Sequence, residues 1–430
     1  MTVFRHWLFL AAFAAVARLA AQQSILLTPE QFFRLAGAGL RGIEEERSSY
    51  WQPHLENSRR RILEAAALCQ RSSTALVLGA GNCTEIPLEE LARRFDEVIL
   101  VDLDEESMAA AVESLPDELI PKVQFRVEDV TAFAGPLMRR LWQSAKTSQT
   151  AGQALARIGE TLDNLELRTS PFQLPEADLV VSSLVLSELH RYPLNYADRL
   201  VRDKFGKRLT AWPGYELFRA RLEKVALRDH VSLLARSCRR GGVVYFSDTI
   251  ARGPDYERIA PDRRRQVLLA MLPDLSGLGL FSELRRQEPL RATFTAAFEK
   301  IRARWVGAEQ PSREQTINWI ALLANEPQSL AEADRGAASE TVVNLLCNER
   351  FEVAAETGAF ERLLELYAAG ADHGGFESLI PLDALQSEWR SRGLEAPGPP
   401  ESWWWLEYPC SVSVSSGAFQ IRSWILKRGD

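Results

Sequence analysis

The sequence predicts an α/β fold: a doubly wound, mostly parallel sheet with a C-terminal antiparallel hairpin and a large helical insertion. Three observations predict it. Short apolar runs alternate with stretches of helical period between residues 74 and 246. A glycine-rich turn follows the first of these runs directly. Two aromatic and β-branched runs close the chain on either side of Ser415-Ser416-Gly417, which turns it back.

The chain has 430 residues, 46% hydrophobic and 25% charged, which is ordinary globular composition. Arg5, the apolar run Trp7–Ala17 and its exit Ala15-Val16-Ala17 have the form of a short signal peptide. The run is too short to span a bilayer as a helix. Residues 1–22 therefore stay open between a signal or anchor, an upstream start codon and an amphipathic first helix. Membrane association through residues 7–21 follows from the first of these. The five cysteines form no CxxC pair and are odd in number, so neither a disulfide framework nor a metal site is expected. Free thiols point to a cytoplasmic protein.

Residues 23–72 are expected to hold N-terminal helices. Positions 30–70 read as two or three, with apolar residues such as Ile62, Leu63, Ala66 and Leu68 on one face. The core is expected over 73–252. Thr74–Leu78 is a run that suits a strand covered on both faces, and Glu97–Val101 is a second. Pro87–Arg94 and Glu105–Leu115 read as helices, and Val123–Val127 alternates as a third strand. A helical stretch near 134–165 precedes a fourth strand, Ala177–Val181. Long helices over 194–238 lead through Gly241-Gly242 to a fifth, Val243–Phe246. Residues 253–375 are mainly helical, an insertion or cap. In 376–430 a last helix is followed by the rigid break Pro397–Pro400 and the hairpin that completes the core sheet.

Gly79 and Gly81 lie where the chain must approach a ligand closely after the first strand. Asp102 ends the second strand 23 residues after Gly79, placed to accept hydrogen bonds from both hydroxyls of a ribose. Leu103 beside it suits an adenine face. Asp129, after the third strand, suits an adenine amino group, and Ser182 and Ser183 emerge at the end of the fourth. Thr84 stands where a dinucleotide fingerprint has Gly or Ala, which weakens a nicotinamide reading.

On Val77–Asn82, Leu100–Asp104, Glu128–Val130 and Asp178–Ser183 the chain resembles the class I S-adenosylmethionine-dependent methyltransferases, a Rossmann-like superfamily. The final hairpin matches too, since that family adds an antiparallel pair. The likeness covers about 60–250 and 375–427. It implies S-adenosyl-L-methionine as cofactor, with Gly79 and Gly81 at the methionine part and Ala80 and Asn82 in the same cofactor-binding loop. It further implies Asp102 at the ribose, Asp129 and Val130 at the adenine, and a small molecule or a protein as methyl acceptor. Leu78, where many members are acidic, and Cys83, where a third glycine is common, depart from the pattern; the run through Glu85 and Leu88 is similar to a bacterial subgroup of unassigned substrate.

Methyl transfer needs in-line positioning more than a universal catalytic residue. The exit of the fourth strand offers Glu188, His190 and Tyr192 as candidates, each also readable as a helix-surface or packing residue. Net charge is −7, which argues against a nucleic-acid partner. Residues 191–240 nevertheless hold 13 Lys/Arg against 5 Asp/Glu, either solvated helix faces or a basic wall for an acidic substrate. Two other readings stand beside the methyltransferase: a non-catalytic regulatory protein that binds the cofactor, and a nicotinamide-dependent oxidoreductase.

Overall fold

The computed structural model describes residues 26–131, 133–163, 174–252, 288–306, 329–346, 377–378, 380–406 and 418–429, with isolated residues between 269 and 322. Helix α1, Pro29–Ala67, opens with a reciprocal cap: Thr28 Oγ1 accepts from Gln31 N and Gln31 Oε1 accepts from Thr28 N. The expected two or three helices are one, of 39 residues, with Pro53 inside it. Pro53 forgoes one main-chain hydrogen bond, worth about 3 kcal/mol with its steric clash. Burial of Trp51, Leu55 and Ile62 outweighs that, at roughly 1.5–3 kcal/mol per large apolar side chain.

The sheet follows the predicted alternation. Its strands are β1 (Thr74–Leu78), β2 (Glu97–Asp102), β3 (Val123–Val127), β4 (Ala177–Ser183) and β5 (Cys238–Arg252). The order is β3-β2-β1-β4-β5, all parallel, so the order reverses between β1 and β4. Helices α2 (Leu88–Arg94), α3 (Glu105–Glu113), α4 (Ala134–Thr147), α5 (Ala151–Asp163), α6 (Leu186–Phe205) and α7 (Tyr215–Ser237) fill the crossovers. Period-two strands sort their residues between two cores. Leu76 and Leu78 face one core, with Leu137, Leu141, Leu200 and Val231. Ala75 and Val77 face the other, with Ile62, Leu91, Phe95 and Met108. β3 is the edge, and its Phe125 and Val127 are exposed.

Two boundaries differ from expectation. α6 begins at Leu186 rather than near 194, because Asp248 Oδ2 accepts from Ser187 N and caps its first turn. β5 begins at Cys238 rather than Val243, since the Gly241-Gly242 pair is taken into the strand at a register shift.

Outside the core, α8 (Glu288–Val306) packs on α9 (Glu332–Leu346), with Arg302 Nε on Asp334 Oδ1 at 2.6 Å and Trp305 Nε1 donating to Glu340 Oε2 at 2.7 Å. The remainder of the expected helical insertion lies outside the described residues, as do residues 1–22 and the hairpin turn at 415–417. Among the described residues no helix is long and apolar enough to cross a membrane.

β6 (Glu377–Ser378), helix α10 (Leu382–Ser391) and β7 (Leu394–Glu395) lead to the hairpin β8 (Glu401–Leu406) and β9 (Ala418–Arg428). β9 runs antiparallel to β5 over Val243–Arg252 and pairs with β8 through Trp403↔Ile421 and Trp405↔Phe419. Glu401 binds Arg60 at 2.6 Å and Arg61 at 3.0 Å, tying the hairpin to α1.

One buried carboxylate starts three strands together. Asp178 Oδ2 accepts from Ser73 N and Thr74 N, and Oδ1 accepts from Arg239 Nη1 at 2.6 Å. Asp178→Ala is expected to lower the unfolding free energy by about 2–4 kcal/mol in urea denaturation, because two half-buried N–H groups and an arginine lose the carboxylate. Arg239→Ala leaves the N–H bonds in place and should cost less than half as much.

Candidate functional site

A cleft of about 410 Å³ opens at the carboxyl ends of the strands, where the order reverses between β1 and β4. This is where open α/β sheets bind ligands. Its floor is the turn after β1. Gly79 N and Ala80 N both donate to Val101 O of β2, at 2.8 and 3.2 Å. Gly79 and Gly81 have φ of +65° and +50°, and a Cβ on Gly79 would stand 2.6 Å from Val185 Cγ2. Cys83, where a third glycine is common in the resembling family, adopts φ +57° as well. Its thiol is buried and pushed up to about 12 by that burial, then by Asp102, so it is no nucleophile.

Asp102 ends β2 and lines the cleft. Its Oδ2 accepts from Gly81 N at 3.0 Å and its Oδ1 from Asp104 N at 2.9 Å. Burial pushes the carboxyl above its ordinary range, against the pull of these backbone bonds. Leu103 N adds a third backbone bond, and a carboxylate's roughly four lone-pair sites still leave room for a ligand. Leu103 beside it is exposed into the cleft.

The other predicted positions divide. Gly79, Ala80, Gly81, Asn82, Asp102, Leu103, Asp129, Val130 and Ser183 all line the cleft. Asp129, expected to meet an adenine amino group, lines the cleft and also bonds locally. Oδ1 accepts from Thr131 N and Oγ1, and Oδ2 accepts from Gly135 N at 2.8 Å, in the first turn of α4. Ser182 turns into the core, its Oγ 2.8 Å from Nε2 of buried His230.

Of the catalytic candidates, Glu188 and Tyr192 line the cleft. Burial raises the Glu188 carboxyl, although Arg191 pairs with it one helical turn away. Tyr192 packs against Phe33 at 5.8 Å between ring centres. His190 instead sits buried against α7, with Nε2 3.6 Å from Glu223 Oε1, and burial lowers it to about 4. Of the basic stretch 191–240, Arg191 is the one arginine or lysine in the cleft wall. Others pair along their own helices, as Arg199 with Asp203 and Arg219 with Glu223, which is the solvated-face reading.

Sequence reasoning missed Glu85 and His54. Glu85 lines the cleft; its Oε2 accepts from Ser183 Oγ at 2.6 Å and its Oε1 lies 3.2 Å from His54 Nε2. His54 Nδ1 accepts from Trp403 Nε1 at 2.9 Å, and the imidazole stacks on Trp405 at 4.6 Å. Burial alone would raise the Glu85 carboxyl, but His54, the Ser183 hydroxyl and Arg59 together hold it below its ordinary range. These partners come from positions 54, 85, 183 and 403, so no local motif announces them.

No family model and no curated protein matches the chain. Among solved structures it is similar to an O-methyltransferase family protein from Burkholderia thailandensis, at 10% identity and TM-score 0.34 over 94% of this chain and 64% of that one. It is also similar to a SAM-dependent methyltransferase from Methanosarcina mazei, at 9% identity and TM-score 0.32 over 85% and 97% of the two chains. A third is the N-methyltransferase NodS from Bradyrhizobium japonicum in complex with S-adenosyl-l-homocysteine, at 13% identity and TM-score 0.22 over 46% and 62%. The chain thus spans about two thirds of the length of the first of these. At such scores the strand order and the cleft, rather than these likenesses, carry the argument.

Two measurements test the site's supports. Gly79→Ala should cost about 2–4 kcal/mol in urea unfolding, from its positive φ and the contact with Val185. Val185→Ala in the same chain should recover the contact part only, leaving about 1–2 kcal/mol. The second concerns Asp248, fully buried and pushed up to about 6 by burial, against its bonds from Ser187 and Thr249. Between its ordinary 3.8 and about 6 the folded state holds a proton that the unfolded chain has lost, so stability falls as pH rises through that window. The loss is up to about 3 kcal/mol and is complete above the folded value. Asp248→Asn removes it, so wild-type stability relative to that variant should decline from pH 4 to 7; a constant difference would refute the shift.

Proposed function

We propose that this chain is an S-adenosylmethionine-dependent methyltransferase, with its cofactor lying across the carboxyl ends of β2, β1 and β4. The single observation that carries the reading is Asp102, held at the end of β2 by Gly81 N and Asp104 N with its carboxylate lining the cleft. Two adjacent acceptors there suit the two hydroxyls of a ribose.

The neighbouring residues fit the rest of such a ligand. Leu103 offers an apolar surface to the adenine, and Val130 closes the same end. Asp129 fixes the turn that carries Val130 and lines the same end of the cleft, where its Oδ2 suits the adenine amino group. The backbone at Gly79 and Gly81 leaves room for the methionine part. A cleft of about 410 Å³ lies within the range of small-molecule sites. When bound, the cofactor supplies an electrophilic sulfonium methyl group. The chain's own task is then to hold an acceptor in line with it and to exclude water. The β4 exit, with Ser183, Glu188 and Tyr192, is the wall against which an acceptor would rest. That acceptor is a small molecule or a protein nucleophile.

Calorimetric titration checks the reading. S-adenosylmethionine and S-adenosylhomocysteine should bind at micromolar concentration and NAD should not. Asp102→Ala should weaken both sulfur nucleosides at least tenfold, about 1.4 kcal/mol or more. Tight NAD binding with no binding of either sulfur nucleoside would sink the proposal.

A further inference from the structure

The end of the cleft beyond β1 differs in chemistry from the ribose end. Its floor is Glu85, bonded to Ser183 Oγ, which in turn lies 3.1 Å from Ser247 Oγ of β5. Its histidine neighbour, His54, accepts from Trp403 Nε1 at Nδ1 and stands with Nε2 3.2 Å from Glu85 Oε1. The nearest arginine, Arg59, commits Nη2 to Thr84 O at 2.7 Å. The Ser183 hydroxyl, His54 and the positive charge of Arg59 hold the group in its carboxylate form. The walls are aromatic. Trp405 and Phe419 meet at 5.8 Å between ring centres, and Trp51 sets against Trp405 at 5.5 Å, all lining the same cleft.

A carboxylate in a cleft that three aromatic side chains also line complements one ligand class well. An organic ammonium gains a charge-assisted hydrogen bond from the carboxylate and cation–π attraction from the rings. A carboxylate or phosphate ligand would meet like charge here. A neutral hydrocarbon would strip water from Glu85 and return nothing.

We propose that this end of the cleft is an ammonium subsite, in which Glu85 takes the charge and Trp51, Trp405 and Phe419 wall the carbon skeleton that bears it. Two sources supply that chemistry: the α-ammonium of the bound sulfonium amino acid, or an amine offered as methyl acceptor. Only this choice of source rests on the cofactor reading above.

The test uses the full chain and its Glu85→Gln variant, titrated with S-adenosylhomocysteine, with 5′-methylthioadenosine, which lacks the amino acid, and with phenethylamine. If the cofactor's ammonium occupies the subsite, Glu85→Gln weakens S-adenosylhomocysteine tenfold or more and leaves 5′-methylthioadenosine unchanged. If an acceptor amine occupies it, both nucleosides bind the variant normally and phenethylamine binding falls tenfold or more. Either result supports the subsite. Affinities for S-adenosylhomocysteine and phenethylamine that stay within twofold in Glu85→Gln overturn it, as does a wild-type chain that binds neither. A wild-type chain that binds phenethylamine but no sulfur nucleoside sinks the cofactor reading alone, and the variant then still decides the subsite. Should Glu85→Gln fail to fold, Trp405→Leu keeps the carboxylate and removes a wall. It should weaken the same ligand at least threefold, and unchanged binding there counts equally against the proposal.

Discussion

The site depends on the turn after β1 being tied to the end of β2. Gly79 N and Ala80 N converge on Val101 O, and Gly81 N reaches the Asp102 carboxylate. Glu128 N then binds Asp102 O, which brings the end of β3 into the same frame. The turn can take this path because three of five residues from Gly79 to Cys83 hold positive φ. Two are glycines, for which that conformation is nearly free; the third, Cys83, is held in it by burial. Val185, packed over Gly79, joins the turn to the start of α6. One peptide path therefore sets the relative positions of the ribose acceptor, the floor of the cleft and the exit of β4.

The strands were legible because their constraint is local. A parallel strand covered on both faces is apolar over most of its length, as Thr74–Leu78, Glu97–Val101 and Ala177–Val181 are apart from Thr74, Glu97 and Asp178. Asp102 was legible for a related reason: it is the first charge after such a run. Boundaries set by distant partners were not. The start of α6 at Leu186 is fixed by Asp248, some sixty residues onward, and nothing between Ser183 and Leu194 reveals it. The single helix α1 owes its continuity past Pro53 to burial against a sheet that follows it in sequence.

Side chains misread at the sequence level share a cause as well. Ser182 and His190 each stand at the right distance from a strand end, but distance along the chain does not state where a side chain points. Ser182 found His230, and His190 is buried beside Glu223. Neither lines the cleft. Asp102, held by backbone donors of fixed geometry, does.

Burial by itself does not decide what a carboxylate does here. Asp102, Glu188 and Asp248 are raised by it, while Glu85, as deeply enclosed, is held low. The difference lies in where the donors come from. Those of Asp248 are the first turn of α6 and its own neighbour, whereas those of Glu85 reach in from α1 and β4, with Arg59 of α1 adding positive charge nearby. His54 in turn is oriented by Trp403 and Trp405 of the final hairpin. A fixed negative charge at this end of the cleft thus requires both the first described helix and the last strands of the sheet. Closure of the sheet by β9, which seats β8 and its tryptophans, is in that sense part of the site's electrostatics as well as of its fold.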